Sequence, residues 1–96
     1  MTRVSCVAIT LAKPGCEDHV QAALAALIEP VHQERGVIQY EMHRDVENPR
    51  RFVFIEQWED RETFDAHCVA PHIIAYLDET RELIEHSEFF AMERLG

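Results

Sequence analysis

The sequence predicts an α+β domain in the order β-α-β-β-α-β, and three observations point to it. A β-branched opening run gives way to a four-three-four helical spacing. Two alternating runs then meet across an Asn-Pro turn. A second helical stretch, restarted at a proline, leads into a closing strand. Ninety-six residues suffice for one domain and not for two, so 1–96 is read as a single unit.

Residues 3–12, RVSCVAITLA, form the first strand, which Lys13-Pro14-Gly15 breaks. Beyond Cys16, the residues Val20, Leu24, Leu27 and Val31 fall on one helical face. Glu17 and Asp18 sit in the first turn, where carboxylates complement the helix dipole. Pro30 loosens the last turns, and Arg35-Gly36 supplies a stop. In 37–44, VIQYEMHR, the residues Ile38, Tyr40 and Met42 point one way and Gln39, Glu41 and His43 the other. The polar stretch Asp45 to Arg50 closes a hairpin onto residues 51–59, RFVFIEQWE. Phe52, Phe54, Glu56 and Trp58 form one face of that strand; Val53, Ile55 and Gln57 form the other. Both faces are apolar enough to be covered. Asp60 caps a short helix through about Val69. Pro71 opens another, running to about Glu85, with an apolar stripe of Ile73, Leu77 and Ile84 flanked by Ile74 and Tyr76. Residues 87–95, SEFFAMERL, make the final strand.

Helices packed on one face of such a four-stranded antiparallel sheet give a ferredoxin-like arrangement, here with its second helix split. The opposite sheet face would carry Val7, Ile9, Leu11, Val53 and Ile55, too much apolar surface to leave in water. A second copy paired sheet to sheet about a two-fold axis covers it, so a homodimer is expected. The 47% hydrophobic content of so short a chain agrees, because a second subunit or a ligand pocket absorbs the surplus.

Eighteen acidic against nine basic residues give a charge of −9, which repels phosphate backbones and anionic lipid; neither nucleic acid nor membrane is expected as a partner. The three cysteines Cys6, Cys16 and Cys68 have no paired spacing. There is no secretory leader pattern and no apolar run long enough to span a bilayer, so a cytoplasmic protein with reduced thiols is expected.

The stretch from Lys13 to His72 resembles the antibiotic biosynthesis monooxygenase (ABM) domain, also seen in quinol monooxygenases. The matching features are the Pro14-Gly15 turn, the long helix ending near Glu29-Pro30, Gly36, Tyr40, the strand RFVFIEQWED and the phrase FDAHCVAPH. The resemblance implies a dimeric α+β barrel whose subunits each hold a pocket between sheet and helices. The family's chemistry is varied: cofactor-independent oxygenation of aromatic polyketides, quinol oxidation, haem degradation and isomerisation of a phosphorylated sugar. Where the haem-degrading branch keeps an asparagine, a tryptophan and the iron-ligating histidine, this chain has Ala8, His67 and Leu77, which disfavours haem. Where the polyketide oxygenases keep an asparagine and an aromatic hydroxyl, it has Phe54 and Phe64, whereas Trp58 matches.

The resemblance turns Phe54, Glu56 and Trp58 toward the pocket, together with Tyr40 and Met42. A slot of Trp58, Tyr40, Phe54, Phe64 and Met42 suits a flat aromatic substrate. The same aromatics, Phe52 and Phe54 above all, read equally as core packing. Glu56 lies between aromatics on an inward face, where burial raises its pKa unless a cation or donor meets it. His67, His72, Arg81 or backbone could supply that partner. His67 shares a helix side with Phe64, and His72 follows at the break between helices; either histidine could take a phenol's proton. His67 is assigned as the base, Glu56 as its orienting partner and His72 as a further catalytic candidate. His67 and His72 are five apart and His19, His32, His43 and His86 are dispersed, so no metal is expected. Cys6 and Cys68 read as core residues. The expected activity is cofactor-independent oxidation of a small quinol or hydroxylated aromatic with O2. A cofactor-free isomerase in the same pocket and a non-catalytic dimer binding aromatic ligands are the alternatives.

Overall fold

A computed structural model describes residues 2–96. In chain order it contains β1 (Val4–Ala12), α1 (Glu17–Ala25), α2 (Ile28–His32), β2 (Val37–Arg44), β3 (Arg51–Trp58), α3 (Arg61–Cys68), α4 (Pro71–Thr80) and β4 (Ile84–Met92). The strands form one antiparallel sheet in the order β2-β3-β1-β4. This is the ferredoxin-like arrangement. Among the described residues no helix is long and apolar enough to cross a membrane.

The four-three-four spacing places Val20, Leu24, Leu27 and Val31 in the core. The helix that carries them is divided at Ala26 and Leu27, upstream of Pro30. Pro30 has no N–H to offer the carbonyl of Ala26, so the ladder lapses there and restarts as α2. Asp60 starts α3 with a reciprocal capping box: its carboxylate accepts from the Thr63 N–H at 2.9 Å, while the Thr63 hydroxyl meets the Asp60 N–H. Gly36 has φ +86°, and a Cβ there would lie 2.5 Å from the Thr63 side chain. The turn into β2 therefore closes onto the cap of α3.

Three expectations need correction. The fourth helix stops at Thr80, not near Glu85, and Ile84 belongs to β4, paired with Ala12. Thr80 is fully buried and its hydroxyl donates to the Tyr76 carbonyl at 2.8 Å. The chain then turns so that Leu83 accepts from the Lys13 N–H at 2.8 Å, committing the next residues to the sheet. The last strand consequently spans Ile84–Met92 and not 87–95. Ile38 does not share the inward face of Tyr40 and Met42. A register shift between Val37 and Gln39 gives Val37 the position opposite Trp58 and leaves Ile38 44% exposed.

The inner face of the sheet presents Phe52, Phe54, Glu56 and Trp58 from β3, all buried beneath the helices. On the outer face Val7 stands between Ile55 and Phe90, and Ile9 between Val53 and Glu88. Among the described residues no helix covers that face, and Ile55, Phe90 and Met92 are exposed on it.

Candidate functional site

The inward residues of the central strand β1 are small. Cys6 lies between Glu56 and Ala91, Thr10 between Phe52 and Ser87, and Ala8 between the aromatic side chains of Phe54 and Phe89. The floor of the sheet therefore dips. Leu24 and Leu27 of the first helical segment, with Ile73, Tyr76 and Leu77 of α4, roof it without filling it. The result is a cavity of about 190 Å³, walled further by Tyr40, Glu56, Phe64, His67 and Cys68. Leu77 and Phe89 are half-exposed and mark its mouth.

At the inner end stands a polar group enclosed by aromatics. His67 stacks on Trp58 with ring centroids 4.4 Å apart and meets the edge of Tyr40 at 5.7 Å. Its Nδ1 lies 3.1 Å from both carboxylate oxygens of Glu34. Its Nε2 faces Glu56 Oε1 at 3.7 Å, a contact rather than a hydrogen bond. The same oxygen accepts a hydrogen bond from the Trp58 indole N–H at 2.9 Å. Burial pushes the Glu56 carboxyl above the usual carboxylate range; the Trp58 hydrogen bond and the His67 ring pull it back, and the Glu34 charge adds to the rise. Burial, reinforced by Glu56 and then Glu34, also holds the Tyr40 hydroxyl in its protonated form. Cys6, beside Glu56 in the sheet register, has its thiol pushed up to about 12 by burial first and the Glu56 charge second. The Cys68 thiol is raised by the same two causes.

Among the expected site residues, His67, Glu56, Tyr40, Phe54 and Phe64 converge on this cavity. Trp58 does not line it: wholly buried, it backs His67 and holds Glu56, so it supports the wall from behind. Met42 and His72 also lie off the cavity wall. His72 instead borders a groove of about 410 Å³ between α1 and α4, and its Nε2 contacts Glu34 Oε2 at 2.5 Å. Arg81 pairs with Asp78 and leaves Glu56 to its other neighbours.

The carboxylate nearest His67 is thus Glu34, which sequence reasoning passed over in favour of Glu56. A signal for it existed. The buried stripe Val20, Leu24, Leu27, Val31 extends by three residues to Glu34, placing a carboxylate where the pattern asks for an apolar side chain. Among the described residues no group of three or more His, Cys, Asp or Glu side chains is arranged to hold a metal ion.

A family model described as antibiotic biosynthesis monooxygenase matches residues 4–87. The crystal structure of a protein from Shewanella oneidensis is 34% identical, with a TM-score of 0.93 over 97% of this chain and 91% of that one. One from Pseudomonas aeruginosa is 27% identical, with a TM-score of 0.94 over 100% and 97% of the two chains. An uncharacterized protein of Synechocystis sp. is 28% identical over 72 residues, 75% of this chain; the match spans 49%, about half, of that relative's length.

Proposed function

Because this chain belongs to the antibiotic biosynthesis monooxygenase family, we propose that it oxidises a small phenol or quinol with O2, without a cofactor, using His67 as the base. The observation that carries this reading is the division of labour between the two nitrogens of His67. Glu34 accepts from Nδ1–H, which leaves the lone pair on Nε2, at the cavity wall and facing Glu56. A phenol entering between the aromatic walls presents its hydroxyl to that nitrogen.

The chemistry then balances with no additional reductant. Nε2 takes the phenolic proton, and the phenolate gives one electron to O2. Phenoxyl radical and superoxide combine at a ring carbon bearing hydrogen. Loss of that C–H proton with cleavage of the O–O bond leaves a quinone carbonyl, and the second oxygen departs as water. The substrate supplies all four electrons. Glu56, kept toward its protonated form by burial, is placed to donate to the departing oxygen. Glu34 holds the imidazole in its working tautomer, and Trp58 fixes both ring and carboxyl.

The cavity volume suits one aromatic ring, with a second ring reaching the mouth at Leu77 and Phe89. A second copy of the chain covers the outer sheet face around Val7, Ile9, Val53 and Ile55, giving a homodimer with one cavity per subunit. The three unpaired cysteines suit a reducing, cytoplasmic setting.

The test is O2 uptake by the purified protein with a reduced naphthoquinol, corrected for spontaneous oxidation. His67→Ala is expected to lose about 10²-fold or more of the turnover. Unchanged turnover would remove His67 from the chemistry. Product formed under strict anaerobiosis would replace oxygenation by isomerisation. Quenching of Trp58 fluorescence by an aromatic ligand, with no turnover in air, would mean a binding protein.

A further inference from the structure

The base at the cavity does not end in a closed pocket of charge. From Glu56 outward the groups form a file: Glu56, His67, Glu34, His72. Side-chain exposure rises along it from 5% through 8% and 13% to 26%. The last member borders a different space from the first. Glu56 and His67 border the cavity, whereas His72 borders the groove between α1 and α4, beside His19 and Glu79. Leu27 and Tyr76 border both spaces and form an apolar partition between them. The Glu34 carboxylate is the polar bridge across it, with Oε1 and Oε2 both at 3.1 Å from His67 Nδ1 and Oε2 at 2.5 Å from His72 Nε2.

We propose that Glu34 and His72 are relay residues that carry the proton taken by His67 out of the cavity and into the α1–α4 groove. The route rests on the reading of His67 as the base. The relay starts from the state with one proton between Glu34 and His72 Nε2 and another on His72 Nδ1, across a contact short enough for direct transfer. Every donor then points the same way. The phenolic O–H faces His67 Nε2, His67 Nδ1–H faces Glu34, Glu34 O–H faces His72 Nε2, and His72 Nδ1–H faces the groove. A shift of one proton at each link breaks the phenolic O–H bond and forms a new N–H bond on His67. One proton is delivered to groove water, and each histidine is left in its opposite tautomer. The phenolate remains inside without a compensating cation, which favours electron transfer to O2. The reverse shift returns a proton for the water that leaves and resets both rings. An aromatic-lined cavity thus exchanges protons with solvent at its back while the substrate occupies its mouth.

The experiment uses 4-nitrophenol as the probe, mixed by stopped flow with the intact protein in weak buffer containing a pH indicator. Phenolate absorbance reports ionisation in the cavity, and the indicator reports arrival of the proton in bulk. In the native protein the two signals are expected to rise together. His72→Gln, which can still hydrogen-bond to Glu34 but cannot pass a proton on, is expected to slow proton release by about tenfold or more. His72→Ala is expected to do the same and to recover with added imidazole, which fits the space vacated at the groove. Glu34→Gln accepts from His67 Nδ1–H with the original geometry and is expected to block release without rescue. Release that stays within about twofold of native in His72→Gln would overturn the relay, as would slowing in His72→Ala that imidazole does not reverse. If the native protein binds the phenol and never ionises it, the base reading of His67 falls first and takes the relay with it.

Discussion

Replacing Gly36 by alanine tests how the turn into β2 fixes the helix that carries His67. The backbone there has φ +86°, a left-handed conformation that costs an alanine about 1–2 kcal/mol. The new Cβ would also lie 2.5 Å from Thr63 Cβ and Cγ2 and 2.6 Å from its Oγ1. Thr63 is buried and holds the capping box of α3, so it has little freedom to yield. Overpacking of this kind adds roughly 1–3 kcal/mol, for a total of about 2–5 kcal/mol. Gly15 is the internal control. Its φ is +84°, yet a Cβ there meets nothing within 4 Å, so Gly15→Ala carries the conformational cost alone. Urea unfolding of both variants, followed by the fluorescence of the single buried tryptophan, separates the two contributions. Gly36→Ala is expected to lose clearly more stability than Gly15→Ala, and to lose turnover as α3 shifts under His67. Equal losses for the two variants would refute the claim that Gly36 is required by Thr63.

Glu56→Gln keeps the shape and the Trp58 hydrogen bond while removing the charge. Because the folded pKa of Glu56 lies above its ordinary value, its contribution to stability is greatest at pH below that value and is lost as pH rises through the folded pKa. The variant is therefore expected to gain on the native protein in urea midpoint between about pH 4 and about pH 8; a loss at the higher pH would contradict burial as the leading cause. Cys6, with its thiol pushed up to about 12, is expected to resist iodoacetamide in the folded protein at mildly alkaline pH, while the partly exposed Cys16 reacts first; peptide mapping by mass spectrometry reads the order. Ile55→Arg places a charge on the uncovered sheet face opposite Val7; light scattering is expected to find the native chain as a dimer and this variant as a folded monomer. A monomeric native chain would remove the second copy from that face.

Sequence patterning exposed what periodicity controls. The stripe Val20 to Val31 and the alternation Phe52 to Trp58 each bury one side of an element, and both spacings survive in the structure. Where two elements meet, the pattern misleads. Ile84 keeps helical spacing with Ile73 and Leu77, but the helix ends at Thr80, whose carbonyl accepts from the Leu83 N–H in the turn that follows, and Ile84 goes to the sheet. Ile38 fits an alternation that a register shift interrupts, a feature set by the partner strand and invisible in the run itself. The site was legible as a set of residue types on inward faces, which brought Glu56, His67, Tyr40, Phe54 and Phe64 to the cavity. Depth within that set was not legible. Trp58 lies behind the wall because His67 stacks over it, and no one-dimensional spacing reports which of two inward side chains is nearer the void. Glu34 lies outside any strand or helix, and what gives it meaning is two histidines more than thirty residues away in sequence.

The oxygenase account is tested most directly by turnover of a naphthoquinol under ¹⁸O-labelled O2, with the organic product analysed by mass spectrometry. Incorporation of one labelled atom per molecule of quinone, diminishing in step with O2 uptake in His67→Ala, is the predicted result. An unlabelled quinone accompanied by labelled hydrogen peroxide would contradict it, because the protein would then be passing electrons to oxygen without inserting an atom.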